Sequence, residues 1–468
     1  MYLVIGMLLL YLVFVIMVSV KLKNKAETVE GFYLAKRNMP LPVLMLTVAA
    51  TWIGASSTLG KSGLAYRIGI TAMIPTLATF VAFSVFSLFA GKIQRIGVKY
   101  HISSIPDLIG RRFGKAPALL ASIVIAWTLI GTTGTQMVAS SQILKLIFDD
   151  YQISYETALI ITAVVVIIYT SLSGFYGVAY SDAIQGILLL IVIGVLLPVL
   201  AVREAGGLGT LIHSVPASYF SLNIDSSIIS YGFVYLLYFL AGPPYWQRAF
   251  AASDSNSARK GSMGGNLIII LYSLSVTMIG ICGYVLHPAF PEGVSDEMMI
   301  PIMTKAYFHP LLYAMTITSF MAIVMSTIDS YLLLAVQTVS TDIAKVVKPG
   351  ISDRKQLRLS RYMIVFLGLL ALLFALKAEN ILDSLVLSMS YFSACIAVPA
   401  MAALLSKKTT RTGILWGMIG GFVTAVIWKS LLHTPFGLNE AIAGSAVSLI
   451  ALMAGSALTK GQVSEYLE

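Results

Sequence analysis

Four oxygen-bearing side chains, Ser326, Thr327, Asp329 and Ser330, lie within one short stretch in the middle of an apolar run. The run covers residues 310–339 and is long enough to cross a bilayer as a helix. In a helix, Ser326, Asp329 and Ser330 share one face and Thr327 borders it. A carboxylate facing lipid is costly, so this face should point into protein or water. Hydroxyl and carboxylate oxygens suit a small hard cation, which predicts an ion or proton pathway. A helix–helix contact held by hydroxyl hydrogen bonds is the alternative.

Asp182 is another carboxylate next to an apolar run, and it follows the polar and glycine-containing stretch 173–181. The pattern places it at the cytoplasmic start of a membrane span. An aspartate at that position serves either as a helix cap or as part of an ion site. The residues alone leave both functions open.

The composition predicts a helical membrane protein with many spans. The chain has 468 residues, of which 58% are hydrophobic and 11% charged, whereas soluble domains carry about 25% charged residues. The net charge of +10 does not indicate nucleic-acid binding, because the basic residues lie in short loops between apolar runs. Cys282 and Cys395 both lie in apolar runs and form no disulfide or zinc pattern.

The apolar runs predict thirteen spans in one transporter domain over residues 1–468. They lie near 2–20, 40–66, 70–91, 117–147, 156–173, 181–203, 229–250, 263–286, 309–339, 360–377, 381–405, 412–432 and 440–458. Most of the 31 basic residues follow odd-numbered spans, which predicts that these loops are cytoplasmic. The N-terminus is then outside and the C-terminus cytoplasmic. The first span lacks a basic region before it and a cleavage site after it, so it is expected to be retained.

Two spans contain residues that interrupt a helix. The second span carries Gly54, Gly60 and Gly63 among hydroxyl side chains, and the seventh carries Gly242 followed by the pair 243–244 of prolines. Broken spans are tolerated only around a cavity. Paired interruptions predict an inverted-repeat transporter with its site near the bilayer midplane.

Four motif regions together resemble the sodium:solute symporter family, whose members import sugars, sialic acid, proline, pantothenate and choline. They are Ala50–Tyr66, Ser173–Gly186, Pro243–Ala252, and Met325–Ser330 with Thr341–Ile343. The resemblance implies an all-α fold with a five-plus-five inverted-repeat core. Its repeats would be 40–203 and 229–405, with an extra N-terminal helix over 2–20 and two C-terminal helices over 412–458.

The same resemblance implies sodium ligands. The principal site would use the carbonyls of Ala50, Ile53 and Ile323 and the hydroxyls of Ser326 and Thr327. A second sodium site would use Asp182, Asp329 and Ser330, together with Ser326. Asp329 stands where the sialic-acid members have serine.

The resemblance also implies a solute pocket on several spans. Its residues would be Trp52, Gly54, Ser57, Thr76, Thr79, Tyr245 and Tyr391, and Trp127 is a further candidate. Thr76 and Trp52 replace the glutamate and asparagine of sugar-transporting members, which argues against a sugar. Trp52 favours a quaternary ammonium through cation–π contact. Lys61 favours a carboxylate solute, unless its side chain reaches the membrane interface instead.

The predicted function is sodium-driven import of a small organic solute across the cell membrane. The partners are the solute, sodium and the lipid bilayer, with no nucleic acid and no obligatory protein partner. A proton-coupled symporter of the same fold and a non-transporting sensor or channel stay open. A membrane enzyme is not expected, because no two of the five histidines have metal-ligand spacing.

Overall fold

The protein is almost entirely helical. The computed structural model describes residues 2–22, 28–148, 153–287, 295–347, 350–377, 381–460 and 466–467. Within these ranges the only extended pairing is an isolated bridge between Met39 and Ala252. The all-helical prediction is therefore confirmed for the described part of the chain.

In the first half of the chain, the described residues form ten α-helices. They are α1 (Tyr2–Leu22), α2 (Val29–Leu34), α3 (Leu41–Trp52), α4 (Lys61–Ile68), α5 (Ile74–Tyr100), α6 (Ile105–Phe113), α7 (Lys115–Ile147), α8 (Tyr155–Leu189), α9 (Leu197–Glu204) and α10 (Gly207–Ser214).

In the second half, the described residues form eleven more. They are α11 (Ser226–Ala241), α12 (Pro243–Ala251), α13 (Ser255–Leu286), α14 (Met299–Tyr307), α15 (Pro310–Gln337), α16 (Ala344–Val347), α17 (Asp353–Ala375), α18 (Ile381–Phe392), α19 (Val398–Leu405), α20 (Arg411–Val426) and α21 (Glu440–Leu458). Short 3₁₀ or π turns connect several of them.

Ten helical stretches in the described residues are long and apolar enough to cross a membrane. Three shorter apolar helices accompany them, at Tyr2–Val18, Leu41–Trp52 and Tyr155–Ile168. The protein is therefore a polytopic helical membrane protein. The number of thirteen spans stays a prediction.

Both predicted helix breaks are present. The helix α3 ends at Trp52, and a π turn over Ser56–Gly60 precedes α4. The helix α11 ends at Ala241, and Gly242 is extended (φ −62°, ψ 129°) before α12 begins at Pro243. A proline suits the first turn of a helix, where its missing amide costs nothing, and disfavours the α conformation of the residue before it.

The helix α15 is the core of the molecule. Every residue from Thr316 to Gln337 is buried, and the helix packs against α7 and α8. A helix that is apolar on all sides is stable only inside a larger bundle. Its polar residues therefore face protein and not lipid.

Glycines allow α13 to approach α3 closely. A β-carbon on Gly261 would lie 2.5 Å from the Leu44 side chain, and one on Gly265 would lie 2.5 Å from Val48. Small residues are typical of such helix contacts in membranes. This contact fixes the position of α3, the first half of the broken second span.

Asp182 is not a helix cap. It lies inside α8, which is continuous from Tyr155 to Leu189 apart from a kink at Gly174 (φ 57°, ψ −175°). The kink is eight residues before Asp182, so the carboxylate is in the third turn of the following helical segment. This position excludes the capping alternative, because a capping aspartate precedes its helix.

Candidate ion and solute site

The break after α3 redirects two backbone hydrogen bonds. The Gly54 amide donates to the Trp52 carbonyl (2.9 Å) and to Ser57 Oγ (2.8 Å). The Ala55 amide donates to Gln136 Oε1 on α7 (2.8 Å). In a continuous helix these amides would donate to the carbonyls four residues earlier. The carbonyls of residues 50 and 51 therefore lose their helical donors, which makes them available to a ligand.

The predicted hydroxyl ligands lie on the neighbouring helix α15. The hydroxyls of Ser326 and Thr327 are buried and donate to the Ile323 carbonyl, at 2.8 and 3.0 Å. Each hydroxyl oxygen keeps lone pairs for a cation after donating its proton. The Ile323 carbonyl already accepts two hydrogen bonds, so it is the most occupied of the five predicted ligands.

A small central cavity lies between α3 and α15, with a volume of about 20 Å³. Its lining residues include Thr51, Trp52, Gly54, Ser56, Ser57, Gln136, Tyr235, Phe239, Thr327 and Tyr331. A volume of this size holds about one water molecule. Thr51 Oγ1 and Trp52 Nε1 are buried and have no hydrogen-bond partner in the described part of the chain. These two groups are available to a bound solute or ion.

Asp182 takes part in a buried ion pair. Its Oδ2 accepts hydrogen bonds from Arg248 Nη2 (3.2 Å), Thr47 Oγ1 (2.9 Å) and Ser330 Oγ (3.3 Å). The Arg248 side chain is 1% exposed and Asp182 is 0% exposed. Arg248 also donates to Ser330 Oγ (3.0 Å) and to the Pro244 carbonyl (3.1 Å). The predicted second-site residues Asp182 and Ser330 are thus adjacent.

Asp329 belongs to the same buried charged group as Asp182 and Arg248. It is fully buried, and its charge interacts with that of Arg248. With both carboxylates ionised, Asp182, Asp329 and Arg248 carry a formal charge of −1. Asp182 Oδ1 accepts no hydrogen bond from the described residues. A buried carboxylate oxygen in a negatively charged group fits a cation.

Arg248 lies at the end of the seventh predicted span, and its prediction as a basic residue of a cytoplasmic loop is wrong. The break at Gly242 starts a new helix, α12, whose residues are all buried. The buried carboxylate of Asp182 compensates the guanidinium charge. Of the other basic residues on which the predicted orientation depends, Lys23, Lys25 and Lys348 lie outside the described residues.

Trp52 lies at the edge of a cluster of aromatic side chains. Its ring centroid lies 6.2 Å from that of Phe239, which lies 5.5 Å from Tyr245. Phe83 contacts Tyr245 edge-on at 4.6 Å. The structure therefore brings two predicted pocket residues, Trp52 and Tyr245, into one aromatic cluster.

The two predicted threonines on α5 have different neighbours. Thr79 Oγ1 donates to the Pro75 carbonyl of its own helix at 2.9 Å. The Thr76 hydroxyl contacts the amine of Lys61. Lys61 is 6% exposed, so the alternative in which it reaches the membrane interface is wrong. Its side chain points into the protein.

Trp127 and Tyr391 do not line the central cavity. Trp127 is 56% exposed and lines an open cavity of about 810 Å³ with Leu370 and Phe374. The ring of Tyr391 packs on Phe422 at 6.0 Å. In this structure, a role for either residue in the pocket has no support.

Gln136, which was not predicted as a site residue, holds the start of the second half of the broken span. A β-carbon on Gly54 would lie 3.0 Å from Gln136 Nε2, so the missing side chain of Gly54 makes room for this amide. The available signal was a glutamine inside the long apolar helix α7, with threonines at 132, 133 and 135. Polar side chains at such depth usually have a function.

A 3₁₀ turn, Asp296–Met298, docks on α4 and on α18 together, and we call it the outer segment. Asp296 pairs with Arg67 (2.9 Å). Glu297 is 4% exposed and accepts the amides of Ile381 (3.1 Å) and Leu382 (3.0 Å) at the start of α18. The segment thereby joins the second half of the broken span to a distant part of the chain.

Known proteins resemble this chain along most of its length. The model of the sodium:solute symporter family matches residues 32–421. The osmoregulated proline transporter OpuE of Bacillus subtilis is 27% identical over 458 residues, covering 93% of this chain and 91% of that protein. The sodium/proline symporter of Escherichia coli is 25% identical over 461 residues, covering 93% and 89%.

Solved structures of transporters have the same fold. The outward-open structure of a Na+-coupled sialic acid symporter has a TM-score of 0.84 at 18% identity, covering 100% of this chain and 99% of that chain. The closed structure of Mhp1, a nucleobase-cation-symport-1 family transporter, has a TM-score of 0.62 at 11% identity, covering 93% and 96%.

Proposed function

Because the chain belongs to the sodium:solute symporter family, we propose that it imports a small organic solute together with sodium by alternating access. The protein is a membrane transporter and not an enzyme. The observation that carries the proposal is the redirection of the Gly54 and Ala55 amides. It frees backbone carbonyls beside a helix that carries buried hydroxyls.

The principal sodium site that we propose lies between α3 and α15. Ala50 supplies a carbonyl without its helical donor, and Ser326 and Thr327 supply hydroxyl oxygens. The two helices pack together, and Thr51 and Thr327 line the same cavity. Carbonyl and hydroxyl oxygens are the neutral hard ligands that a sodium ion requires. The Ile53 carbonyl, at the end of α3, is a further ligand of this proposed site.

A second ion is proposed beside Asp182. The free Oδ1 of this carboxylate and the formal charge of the group with Asp329 and Arg248 favour a cation. The same carboxylates favour a second candidate function, symport driven by protons, since a buried carboxylate can take up a proton instead of a metal ion.

The names of the relatives suggest which solute to test first. Two of them are a proline transporter and a sodium/proline symporter. We therefore take proline as the first candidate solute. Trp52 and Phe239 supply an apolar surface, and Thr51 and Trp52 supply free polar groups for such a molecule.

The proposed location is the cell membrane, with the N-terminus outside and the C-terminus in the cytoplasm. The basic residues between spans still favour this orientation without Arg248. On this orientation the outer segment faces the outside of the cell.

Uptake into proteoliposomes tests the function. We expect labelled proline to accumulate when sodium is outside, and not when potassium replaces sodium at constant pH. Accumulation driven by a proton gradient without sodium would favour the second candidate. If neither a sodium gradient nor a proton gradient drove uptake of any solute in a broad panel, both candidate functions would be contradicted.

The double substitution Ser326→Ala and Thr327→Ala tests the principal site. We expect the sodium concentration for half-maximal uptake to rise about tenfold or more, which corresponds to about 1.4 kcal/mol of lost binding energy. The matched control is Thr318→Ala with Ser319→Ala. These hydroxyls form the same kind of bond to their own helix, at 2.8 Å each, so their loss should not alter sodium dependence. Equal effects of both double variants would place the site elsewhere.

A further inference from the structure

Lys61 is a buried cation at the start of the second half of the broken span. Its side chain is 6% exposed and contacts the hydroxyl of Thr76 on α5. An ammonium group has three donors, and this hydroxyl accepts one of them. The structure therefore leaves donor capacity on a charge that is removed from water.

No carboxylate pairs with Lys61 in the described residues. The nearby acidic side chains each have other partners. Asp383 accepts the hydroxyl of Tyr231 (2.5 Å), Asp296 pairs with Arg67 (2.9 Å), and Glu297 accepts two amides of α18. Burying an ammonium without a counter-charge is unfavourable. An anion that comes from outside the chain would supply this counter-charge.

Lys61 lines a cavity of about 20 Å³, which we call the Lys61 cavity. Ser57 and Thr76, two predicted pocket residues, also line it, as do Leu64, Tyr235 and Leu382. Ser56, Ser57 and Tyr235 line the central cavity as well. The Lys61 cavity and the central cavity are therefore neighbours along the broken span.

Three side-chain groups around the two cavities have unused hydrogen-bond donors among the described residues, beside the backbone carbonyls and hydroxyls proposed to bind sodium. They are the ammonium of Lys61, the indole N–H of Trp52, and the hydroxyl of Thr51, which can also accept. A cationic solute without acceptor atoms would leave these donors unpaired and would be repelled by Lys61. A carboxylate has two acceptor oxygens and a charge that complements the ammonium.

We propose that Lys61 binds the carboxylate of the transported solute, so that the solute class is small carboxylates. The inference rests on the proposed transport function. The carboxylate binds in the Lys61 cavity, and the rest of the solute extends toward Trp52 and Phe239 in the central cavity. Thr76 orients the amine from the side of α5. The quaternary-ammonium alternative, which Trp52 alone favoured, is therefore disfavoured.

Ligand binding to the purified full-length protein tests this proposal. Thermal stabilisation in sodium-containing buffer would be measured with proline, lactate and pantothenate as carboxylates. Prolinamide, choline and myo-inositol are the probes without a carboxylate, and chloride alone is the inorganic anion. We expect at least one carboxylate to stabilise the protein and the probes without a carboxylate to fail. Stabilisation by choline, myo-inositol or prolinamide, or by none of the carboxylates, would overturn the proposal.

The substitution Lys61→Gln tests the residue itself. We expect the affinity for the stabilising carboxylate to fall at least about 30-fold, as when one partner of a buried charge pair is truncated. Lys61→Arg should retain part of the affinity, because it keeps the charge. The matched control is Lys305→Gln, at an exposed lysine of α14, which should bind as the unchanged protein does.

A measurement of sodium binding without solute distinguishes a failure of this proposal from a failure of the proposed transport function. Lys61→Gln should keep the stabilisation that sodium alone produces, which also shows that the variant is folded. Unchanged solute affinity in Lys61→Gln would reject Lys61 as the residue that binds the carboxylate, and would leave the proposal of sodium-coupled transport intact. If the unchanged protein transports no solute with sodium, the proposed function itself fails.

Discussion

Arg248 and Asp182 show what single residues contribute inside the membrane domain. The guanidinium donates to Asp182, Thr47 and Ser330, and all four side chains are buried. A buried ion pair contributes little net stability compared with apolar residues, but breaking it is costly, because it leaves one charge without compensation. The pair therefore fixes α8, α12 and α15 relative to one another.

The substitution Asp182→Asn should destabilise the protein and change its ion dependence. Asparagine keeps the size of the side chain but removes the carboxylate that pairs directly with Arg248, for which we expect a loss of about 3–5 kcal/mol. The measurement is the melting temperature in detergent, together with the sodium dependence of uptake. Asp254→Asn is the control, because Asp254 is an exposed helix cap and asparagine caps equally well. Equal melting temperatures for the two variants would contradict this account.

At the scale of elements, the two breaks could be predicted because glycine and proline act locally. The Gly242–Pro243–Pro244 sequence and the glycines of the second span show their effect without any partner. The partners of the freed groups could not be predicted, since they depend on helices distant in the chain. Gln136 holds the Ala55 amide across 81 residues, and no local pattern indicates such a pairing.

The depth at which a side chain lies in the helix bundle could not be predicted from the sequence either. Lysine and arginine usually lie at the membrane interface. Only the packing of neighbouring helices shows that Lys61 and Arg248 are both buried. Trp127 looked like a pocket aromatic because its helix is apolar, but its face of α7 is exposed. Which face of an apolar helix contacts protein depends on tertiary packing, which the hydrophobic pattern of a membrane helix specifies weakly.

The substitution Gly63→Ala should loosen the contact between α4 and the outer segment. A β-carbon at this position would lie 2.8 Å from the Asp296 carbonyl carbon and 2.9 Å from the Glu297 amide nitrogen. Both are backbone atoms, so the segment must shift. We expect faster hydrogen exchange in residues 295–307 and slower transport. Gly232→Ala is the control, because its β-carbon would meet only an ordinary contact at 3.7 Å, and unchanged exchange in Gly63→Ala would refute the prediction.

At the scale of the whole molecule, the outer segment joins parts of the chain that belong to different predicted repeats. It contacts α4 within 40–203 and α18 within 229–405. Burial raises the pKa of Glu297, and the charges of Asp296 and Asp383 add to this effect, whereas its two amide partners oppose it. The docked segment therefore binds a proton more tightly than an undocked segment with Glu297 in water.

Docking should consequently depend on pH. Below the ordinary pKa of a glutamate, 4.5, Glu297 is protonated in both states and docking is strongest. Docking weakens as the pH rises from that value through the raised pKa, because the docked state disfavours the ionised form. The measurement is maleimide labelling of Met298→Cys, normalised to Lys305→Cys, across this pH range.

The substitution Glu297→Gln supplies the control for this pH dependence. Glutamine is neutral at every pH and keeps an acceptor for the amides of α18. In this background, the normalised labelling of Met298→Cys should not change with pH. A pH dependence that survives Glu297→Gln would assign the effect to another group.

The double attachment of the outer segment has a pharmacological consequence. On the proposed orientation it faces the extracellular medium, and Glu297 lies beside Gly60, the neighbour of Lys61. We infer that its contacts to α4 and α18 separate when a solute enters from outside. A single-domain antibody raised against residues 295–305 in their undocked form would therefore hold the entrance open. Such a reagent would inhibit transport non-competitively, since it blocks closure without occupying the solute pocket.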